Sequence, residues 1–174
     1  MKALKDDNIR AIGVYGMGGT GKTMLVGEVA TQAMKDKYFE EVVTIIVLED
    51  SILMALYDFD SSELPEKFEC PQVKLIILES QWGALQIQNT FFEGVKNLKV
   101  LVLSYMCLTK LPSSLLFLDN LQTLYLIDCE LEDIAMIGEL KNLKVLSLSR
   151  SNIRQLPKEI EQLTDLKLLD LTEK

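Results

Sequence analysis

The spacing of hydrophobic and polar residues divides the chain into two unlike parts. Residues 1–47 contain two leucines, whereas from there leucine recurs at nearly fixed intervals to the C-terminus. In the first part, the apolar segment 10–15 predicts a strand, and residues 22–34 carry apolar side chains at helical spacing. The β-branched segment 41–48 predicts a second strand, buried on both faces. We therefore expect a strand–loop–helix–strand fragment followed by a repeat array.

The array follows the template L-x-x-L-x-L-x-x-[N/C]-x-L-x-x-L-P. The second leucine position of each copy is taken in turn by Met54, Ile76, Leu101, Leu124, Leu146 and Leu169. Their separations of 22, 25, 23, 22 and 23 residues lie within the range of about 20–29 that is typical of leucine-rich repeats. The alternative is a set of amphipathic helices with this spacing by chance. Regular Leu-Pro closures and β-branched strand positions such as Val100 and Val145 disfavour it.

The fold class expected from this pattern is α/β: a leucine-rich-repeat solenoid of about five to six repeats, preceded by a partial P-loop β-α-β fragment. We place the fragment at residues 1–50 and the repeat domain at residues 51–174. In each coil (one turn of the solenoid) the L-x-L segment predicts a short strand, and the Asn/Cys position turns the chain out of it. Because no coil buries its own apolar face, the coils stack on one core. We expect strand 42–48 to pack on the first repeat, under the helix 23–34.

A phosphate-binding loop lies between the first strand and the helix. Its residues match G-x-x-x-x-G-K-[ST] at every position, and they are Gly16, Met17, Gly18, Gly19, Thr20, Gly21, Lys22 and Thr23. The glycines let backbone N–H groups approach phosphate oxygens closely, next to the positive end of the following helix. Lys22 is expected to reach the β- and γ-phosphates, and the Thr23 hydroxyl is expected to ligate Mg²⁺. The loop therefore predicts a nucleotide site.

A complete hydrolytic site is not visible beside this loop. Nucleotide hydrolysis needs a second acidic strand end, and Glu49 and Asp50, after strand 42–48, are the candidates for it. Two interpretations stay open: a magnesium-holding strand end, or two acidic residues that simply end a strand at a loop. We assign no catalytic residue and do not expect an enzyme, although a P-loop kinase or NTPase is an alternative class.

The amino-acid composition excludes several classes of function. Lys and Arg total 18 against 26 Asp and Glu, a formal charge of −8 that argues against general nucleic-acid binding. The absence of histidine excludes His-based acid–base catalysis and most zinc sites. The three cysteines, Cys70, Cys107 and Cys129, are far apart and are expected to be buried, apolar thiols in a reducing compartment. No secretory signal or membrane span is visible, so we expect a cytoplasmic protein.

Both parts resemble one family. Residues 12–23 resemble the P-loop opening of the NB-ARC domain of plant intracellular immune receptors, the nucleotide-binding leucine-rich-repeat (NLR) disease-resistance proteins. Residues 39–43 resemble the strand that follows the first helix of that domain. Four segments of the array resemble the opening repeats of the coiled-coil class: residues 91–101, 111–115, 137–140 and 156–160.

The resemblance implies a truncated member of this family, with most of the NB-ARC domain missing. The kinase-2 strand, sensor arginine, GLPL motif and MHD motif have no counterpart here, and Met24 stands where the family usually has Thr or Ser. The junction near residues 47–51 reads like an internal deletion. The implied function is binding of ADP or ATP with Mg²⁺ as a switch, together with protein recognition in a defence response. The implied partner is a host or pathogen protein, or a full-length NLR.

The alternative is a protein-interaction module with a vestigial loop. In either case the concave strands are expected to present the contact residues. Those with aromatic, apolar or polar side chains suited to an interface are Tyr105, Tyr125, Ile127, Asp128, Ser147 and Arg150, beside Val100, Val102, Ser104, Thr123 and Ser149. These positions are also consistent with ordinary solvated strand residues.

Overall fold

The computed structural model describes residues 44–48, 51–59, 64, 66–80 and 87–172. The strands are β1 (Thr44–Leu48), β2 (Ser51–Phe59), β3 (Val73–Ser80), β4 (Val100–Ser104), β5 (Cys107–Lys110), β6 (Thr123–Ile127), β7 (Glu130–Asp133), β8 (Val145–Ser147), β9 (Asn152–Ile153) and β10 (Leu168–Asp170). Between them lie 3-10 helices at Phe91–Gly94, Ser113–Phe117, Ala135–Glu139 and Lys158–Gln162.

One sheet runs the length of the array. Its order is β1-β2-β3-β4-β6-β8-β10, and every neighbouring pair except β1 and β2 is parallel. The residues that the repeat template aligns are direct partners in this register, in the order Met54, Ile76, Leu101, Leu124, Leu146 and Leu169. The predicted leucine-rich-repeat solenoid is therefore confirmed, with six parallel strands that correspond to the six copies of the template.

The leucines of the template form the core. Both L-x-L positions of β4 and β6 are fully buried, and they belong to one continuous hydrophobic cluster. Leucines further along each coil close it from the opposite side: the template residue Leu111 is 5% exposed, and Leu115, which follows the template, is fully buried. Since each buried Leu stabilises the fold by roughly 1.5–3 kcal/mol, the repeated positions supply most of the driving force for folding.

Two further layers close the coils. A small parallel sheet, in the order β5-β7-β9, follows the turn out of the large sheet, and the 3-10 helices lie on the return path. At the turn, the single S–H donor of Cys129 is shared between the carbonyls of Leu103 and Ile127, which lie 3.5 and 3.3 Å from the sulfur. One coil later, the Ser151 hydroxyl donates to the Leu126 carbonyl and accepts the Cys129 N–H, both at 2.9 Å. Small polar side chains at this position thus satisfy the turn's backbone groups.

The strand predicted at 41–48 is observed as β1. It pairs antiparallel with β2 in a register that runs from Thr44↔Ala55 to Leu48↔Ser51, so residues 49 and 50 join the two strands. The prediction that this strand packs on the first repeat is confirmed, and among the described strands β1 lies at one edge of the large sheet. The helix expected at residues 22–34 lies outside the described residues.

Asparagine side chains tie the return turns of adjacent coils together. The Nδ2 group of Asn97 donates to the Pro71 carbonyl at 2.8 Å, Asn120 to Lys96 at 3.1 Å and Asn142 to Asp119 at 2.7 Å. The same position in the last coil is Asp165. These residues were not predicted to join the coils, although the Asn-Leu dipeptides at 97, 120 and 142 recur with the repeat period.

The last coil is less covered than the others. Leu169 occupies the same register position as the buried Leu146, yet it is 39% exposed, and Leu171 is 44% exposed. Within the part of the chain that the structure describes, no further coil stacks on these side chains. Their exposure shows that a template leucine is buried only where its strand has a neighbouring strand on each side.

Exchanging the asparagine tie tests its contribution. Asn142→Asp removes the N–H donor to the Asp119 carbonyl and should lower the free energy of unfolding by about 1 kcal/mol, as expected for one hydrogen bond. Asp165→Asn supplies the missing donor opposite the Lys141 carbonyl and should raise the free energy of unfolding by about 0.5 kcal/mol. Urea denaturation measures both. Equal effects of the same sign would contradict the tie.

Gly138 tests the packing between 3-10 helices. A Cβ on Gly138 would overlap the backbone carbonyl of Glu159 in the next coil, which has no flexible end to move aside. Gly138→Ala should therefore lower the free energy of unfolding by about 1–3 kcal/mol. The control is Glu139→Ala at the adjacent exposed position, which should stay within about 0.5 kcal/mol. A neutral Gly138→Ala would show that the neighbouring coils adjust.

Candidate functional site

The phosphate loop lies outside the described residues. Gly16 to Thr23, with the expected phosphate contacts of Lys22 and the Mg²⁺ contact of Thr23, therefore stay predictions, as do the roles considered for Glu49 and Asp50. The site that the structure describes is the one expected on the repeat array.

The open face of the large sheet, on the side opposite the leucine core, carries three rows of side chains. Side chains alternate across a strand, so the partly exposed residues between buried leucines point away from the core. The register aligns the first row as Leu75, Val100, Thr123, Val145 and Leu168, and the second as Ile77, Val102, Tyr125, Ser147 and Asp170. The third contains Glu79, Ser104 and Ile127. The expected contact residues on β4, β6 and β8 thus share one surface.

Three of the predicted contact residues take the left-handed backbone conformation. Tyr105, Asp128 and Arg150 each follow a strand of the large sheet, and their φ angles are 57°, 51° and 56°. A non-glycine residue there costs roughly 1–2 kcal/mol. Backbone bonds between coils hold the conformation, because the N–H of each residue donates to the next coil, at Ile127, Ser149 and Thr172 respectively, over 2.7–3.1 Å. In each of the three coils, this conformation turns the chain out of the large sheet directly after the strand.

Asp128 and Arg150 form an ion pair across adjacent coils. The Nε and Nη2 groups of Arg150 donate to one oxygen, Oδ2, of Asp128 at 2.9 and 2.7 Å. The Asp128 side chain is 5% exposed, whereas that of Arg150 is 45% exposed. The hydrogen bond and the charge of Asp128 raise the pKa of Arg150. The carboxylate therefore acts as a buried anchor that orients a guanidinium group with N–H donors left for solvent or a partner.

A second polar cluster lies on β8 and β10. The Ser147 hydroxyl, in a residue that is 1% exposed, donates to Asp170 at 2.8 Å. The Thr172 hydroxyl and N–H donate to the other carboxylate oxygen at 2.5 and 3.0 Å. These bonds, first from Thr172 and then from Ser147, lower the pKa of Asp170, so its carboxylate stays charged on the open face.

Only some of the predicted contact residues have side chains that a partner could reach. Tyr105 is 47% exposed, and Tyr125 and Ile127 are half-buried in the rows of the open face. With Arg150 they are available to a partner. Asp128 and Ser147 contribute through the residues that they hold, because their own side chains are covered. Interface residues of this kind, two tyrosines and an arginine, are the types that most often dominate binding energy.

Lysine forms a row that the sequence analysis did not single out. The residues that directly precede the members of the first open-face row, taken in order from β3 to β10, are Lys74, Lys99, Gln122, Lys144 and Lys167. The signal in the sequence is a Lys that precedes an apolar residue at the repeat spacing, as in Lys99-Val100 and Lys144-Val145.

Neither Cys107 nor Cys129 is an activated thiol. Cys129 is fully buried, as predicted, and burial raises its pKa to about 11. The prediction is wrong for Cys107, which is exposed at the start of β5 because the side chains of that short strand alternate between core and solvent. Partial burial, followed by the charge of Glu130, raises the pKa of Cys107 as well. Cys70 is half-buried.

No group of three or more Cys, Asp or Glu residues that could hold a metal ion occurs in the described part of the chain. Among the same residues, no helix has both the length and the apolar character needed to cross a bilayer.

Comparisons with known proteins concern the two parts separately. The model of the family described as "NB-ARC domain" matches residues 1–58, a range that ends within β2. No curated protein matches the chain. The crystal structure of an internalin (inlF) from Listeria monocytogenes is similar at 24% identity and a TM-score of 0.49, covering 59% of this chain and 29% of that one. Internalin C2 (inlC2) from the same organism is similar at 20% identity and a TM-score of 0.44, covering 56% and 41%. The chain thus spans less than half the length of either internalin, and its NB-ARC similarity is limited to residues 1–58.

Proposed function

We propose that this chain is a truncated NLR-type disease-resistance protein of plants, of the coiled-coil class, that acts in the cytoplasm. Its P-loop binds ADP or ATP with Mg²⁺, and its leucine-rich repeats recognise a protein partner in a defence response. One observation carries this proposal: the region that matches the NB-ARC model contains a complete G-x-x-x-x-G-K-T motif and continues directly into the leucine-rich-repeat sheet.

The residues of the loop are sufficient for phosphate contact. Gly16 to Gly21 supply backbone N–H groups, and Lys22 adds a point charge for the terminal phosphates. Thr23 supplies the hydroxyl that a nucleotide-bound Mg²⁺ ion uses as a ligand. The bound nucleotide serves as a switch, and no residue is assigned to its hydrolysis.

The open face supplies the protein-recognition half of the proposal. Tyr105, Tyr125, Ile127 and Arg150 present aromatic, apolar and cationic groups, and Asp128 and Asp170 fix the polar end of that surface. The backbone bonds between coils hold these side chains in place before a partner binds, which lowers the entropic cost of association. The partner is a host or pathogen protein, or a full-length NLR.

A second candidate is a protein-interaction module with a vestigial phosphate loop. The observation in its favour is the pairing of β1, which lies within the NB-ARC-matched range, with β2 of the repeat sheet. In this arrangement the strand serves as the edge of the solenoid. The nucleotide experiment separates the two candidates.

The nucleotide experiment compares wild type with Lys22→Ala. We expect saturable binding of fluorescent ADP and ATP with Mg²⁺ to the wild-type protein. Lys22→Ala should weaken this binding at least about tenfold, or about 1.4 kcal/mol, because the positive charge that contacts the terminal phosphates is lost. The matched control is Lys35→Ala, which removes a lysine outside the motif and should leave the affinity within about twofold. Absence of saturable binding, or equal losses in both variants, would support the vestigial-loop candidate.

The recognition surface is tested with peptides selected on the wild-type protein from a display library. Tyr105→Ala/Tyr125→Ala should weaken their binding by about tenfold or more, because aromatic side chains dominate such interfaces. The control variant, Leu116→Ala/Phe117→Ala, removes two exposed apolar side chains from a 3-10 helix away from the open face. It should change affinity less than about twofold. A larger loss in the control would move the binding surface to that other side, and recovery of no binding peptide would argue against recognition.

A further inference from the structure

The lysine row runs along the end of the open face where the strands begin. Lys74, Lys99, Gln122, Lys144 and Lys167 lie at or just before the start of five neighbouring strands, and backbone bonds of 2.8–2.9 Å join each to the next. Neighbouring strands lie about 4.8 Å apart, so the row is about 19 Å long. Lys144 donates to the Gln122 side chain at 3.1 Å.

An apolar row runs directly beside the lysines. Each member of the lysine row is followed in the chain by a member of the first open-face row: Leu75, Val100, Thr123, Val145 and Leu168. Both rows change character at the same strand, since β6 carries Gln122 and Thr123 where the others carry Lys and an aliphatic residue. Each lysine is therefore next to an aliphatic residue, and two neutral polar residues interrupt both rows in the middle.

The lysine row is positively charged, whereas the chain as a whole is negatively charged. The protein carries a formal charge of −8, yet four lysines share this row. Like charges on adjacent strands repel one another, so stacking Lys144 beside Lys167 weakens the sheet. A partner with carboxylates along its contact would remove that repulsion on binding, and the apolar row gives it a surface to bury.

A helical peptide matches the spacing of the lysine row and the apolar row better than an extended peptide does. Residues three or four apart on a helix are about 5–6 Å apart, close to the distance between strands. Alternate residues of an extended peptide are about 6.6 Å apart and fall out of step within a few strands. The predicted helix at residues 23–34 of this chain contains one acidic residue, Glu28, and does not supply an acidic stripe.

We propose that the lysine row and the adjacent apolar row bind an acidic amphipathic helix of a partner protein. Glutamates or aspartates along one stripe of that helix face the lysines, and aliphatic side chains on the neighbouring stripe face Val100 and Val145. The helix lies across the strands, at the end of the open face where the strands begin. The inference rests on the proposed protein recognition by the repeats, and it names the chemistry of the partner.

The test uses a designed, fluorescently labelled peptide of about 18 residues, which spans about 27 Å as a helix. It carries glutamate along one stripe and leucine along the next, and fluorescence anisotropy measures its binding to the full chain. We expect binding that weakens strongly between about 0.05 M and 0.5 M salt, because exposed charges are screened. Peptides with glutamine in place of glutamate, or serine in place of leucine, should bind at least about tenfold more weakly.

Charge-reversal variants locate the surface. Lys99→Glu/Lys167→Glu should weaken peptide binding by about tenfold or more, because both lysines are exposed members of the row. The control, Lys110→Glu/Lys158→Glu, makes the same change in net charge at exposed positions on β5 and a 3-10 helix, and should lose less than about threefold. Thermal unfolding of both variants confirms that they fold alike.

Any of three other outcomes would overturn the inference. Equal losses in the two charge variants would mean that net charge alone attracts the peptide. Loss in Tyr105→Ala/Tyr125→Ala without loss in the lysine variant would place binding elsewhere on the open face, so the proposed recognition would stand and this partner chemistry would not. No binding to the wild-type chain would reject the acidic helix, while the nucleotide and display experiments would still decide the proposed function.

Discussion

No single coil of this chain can bury its own apolar side chains, and the rest of the structure depends on that constraint. A coil of about 23 residues has a leucine-lined interior that is open toward both neighbours, so burial requires stacking. The contrast between Leu146, which is fully buried, and Leu169, which is 39% exposed at the same register position, shows the effect directly. Stacking fixes the register, and the register in turn aligns every row on the open face.

The polar residues of the array serve the same stacking. Asn97, Asn120 and Asn142 each satisfy a carbonyl of the preceding coil, and the left-handed residues donate their N–H groups to the following one. Asp128 meets Arg150 one coil further on. Hydrogen bonds between coils thus maintain a strained backbone at the edge of the sheet, and that edge carries the exposed Tyr105 and Arg150 side chains.

Leucine spacing was sufficient to predict the fold because register follows from it: residues 22–25 apart with the same apolar role become direct strand partners. The accessible surface was harder to predict. Nothing in the sequence distinguishes Ser147, which is covered and hydrogen-bonded to Asp170, from a solvated strand serine. The positive φ at Tyr105 is equally hidden, because tyrosine does not favour that conformation. The phosphate loop stays a prediction from its motif, whose residue types follow from phosphate chemistry.

The bonds between coils also determine how the chain can fold. The side-chain hydrogen bonds that join adjacent coils connect residues about 22–26 positions apart, so each requires closure of a loop of similar, modest length. A coil can therefore become ordered as soon as its predecessor is in place, and order spreads along the chain in one direction or from the middle outward. During synthesis, the growing array needs only the most recent coil to dock, and it never has to wait for a distant part of the chain.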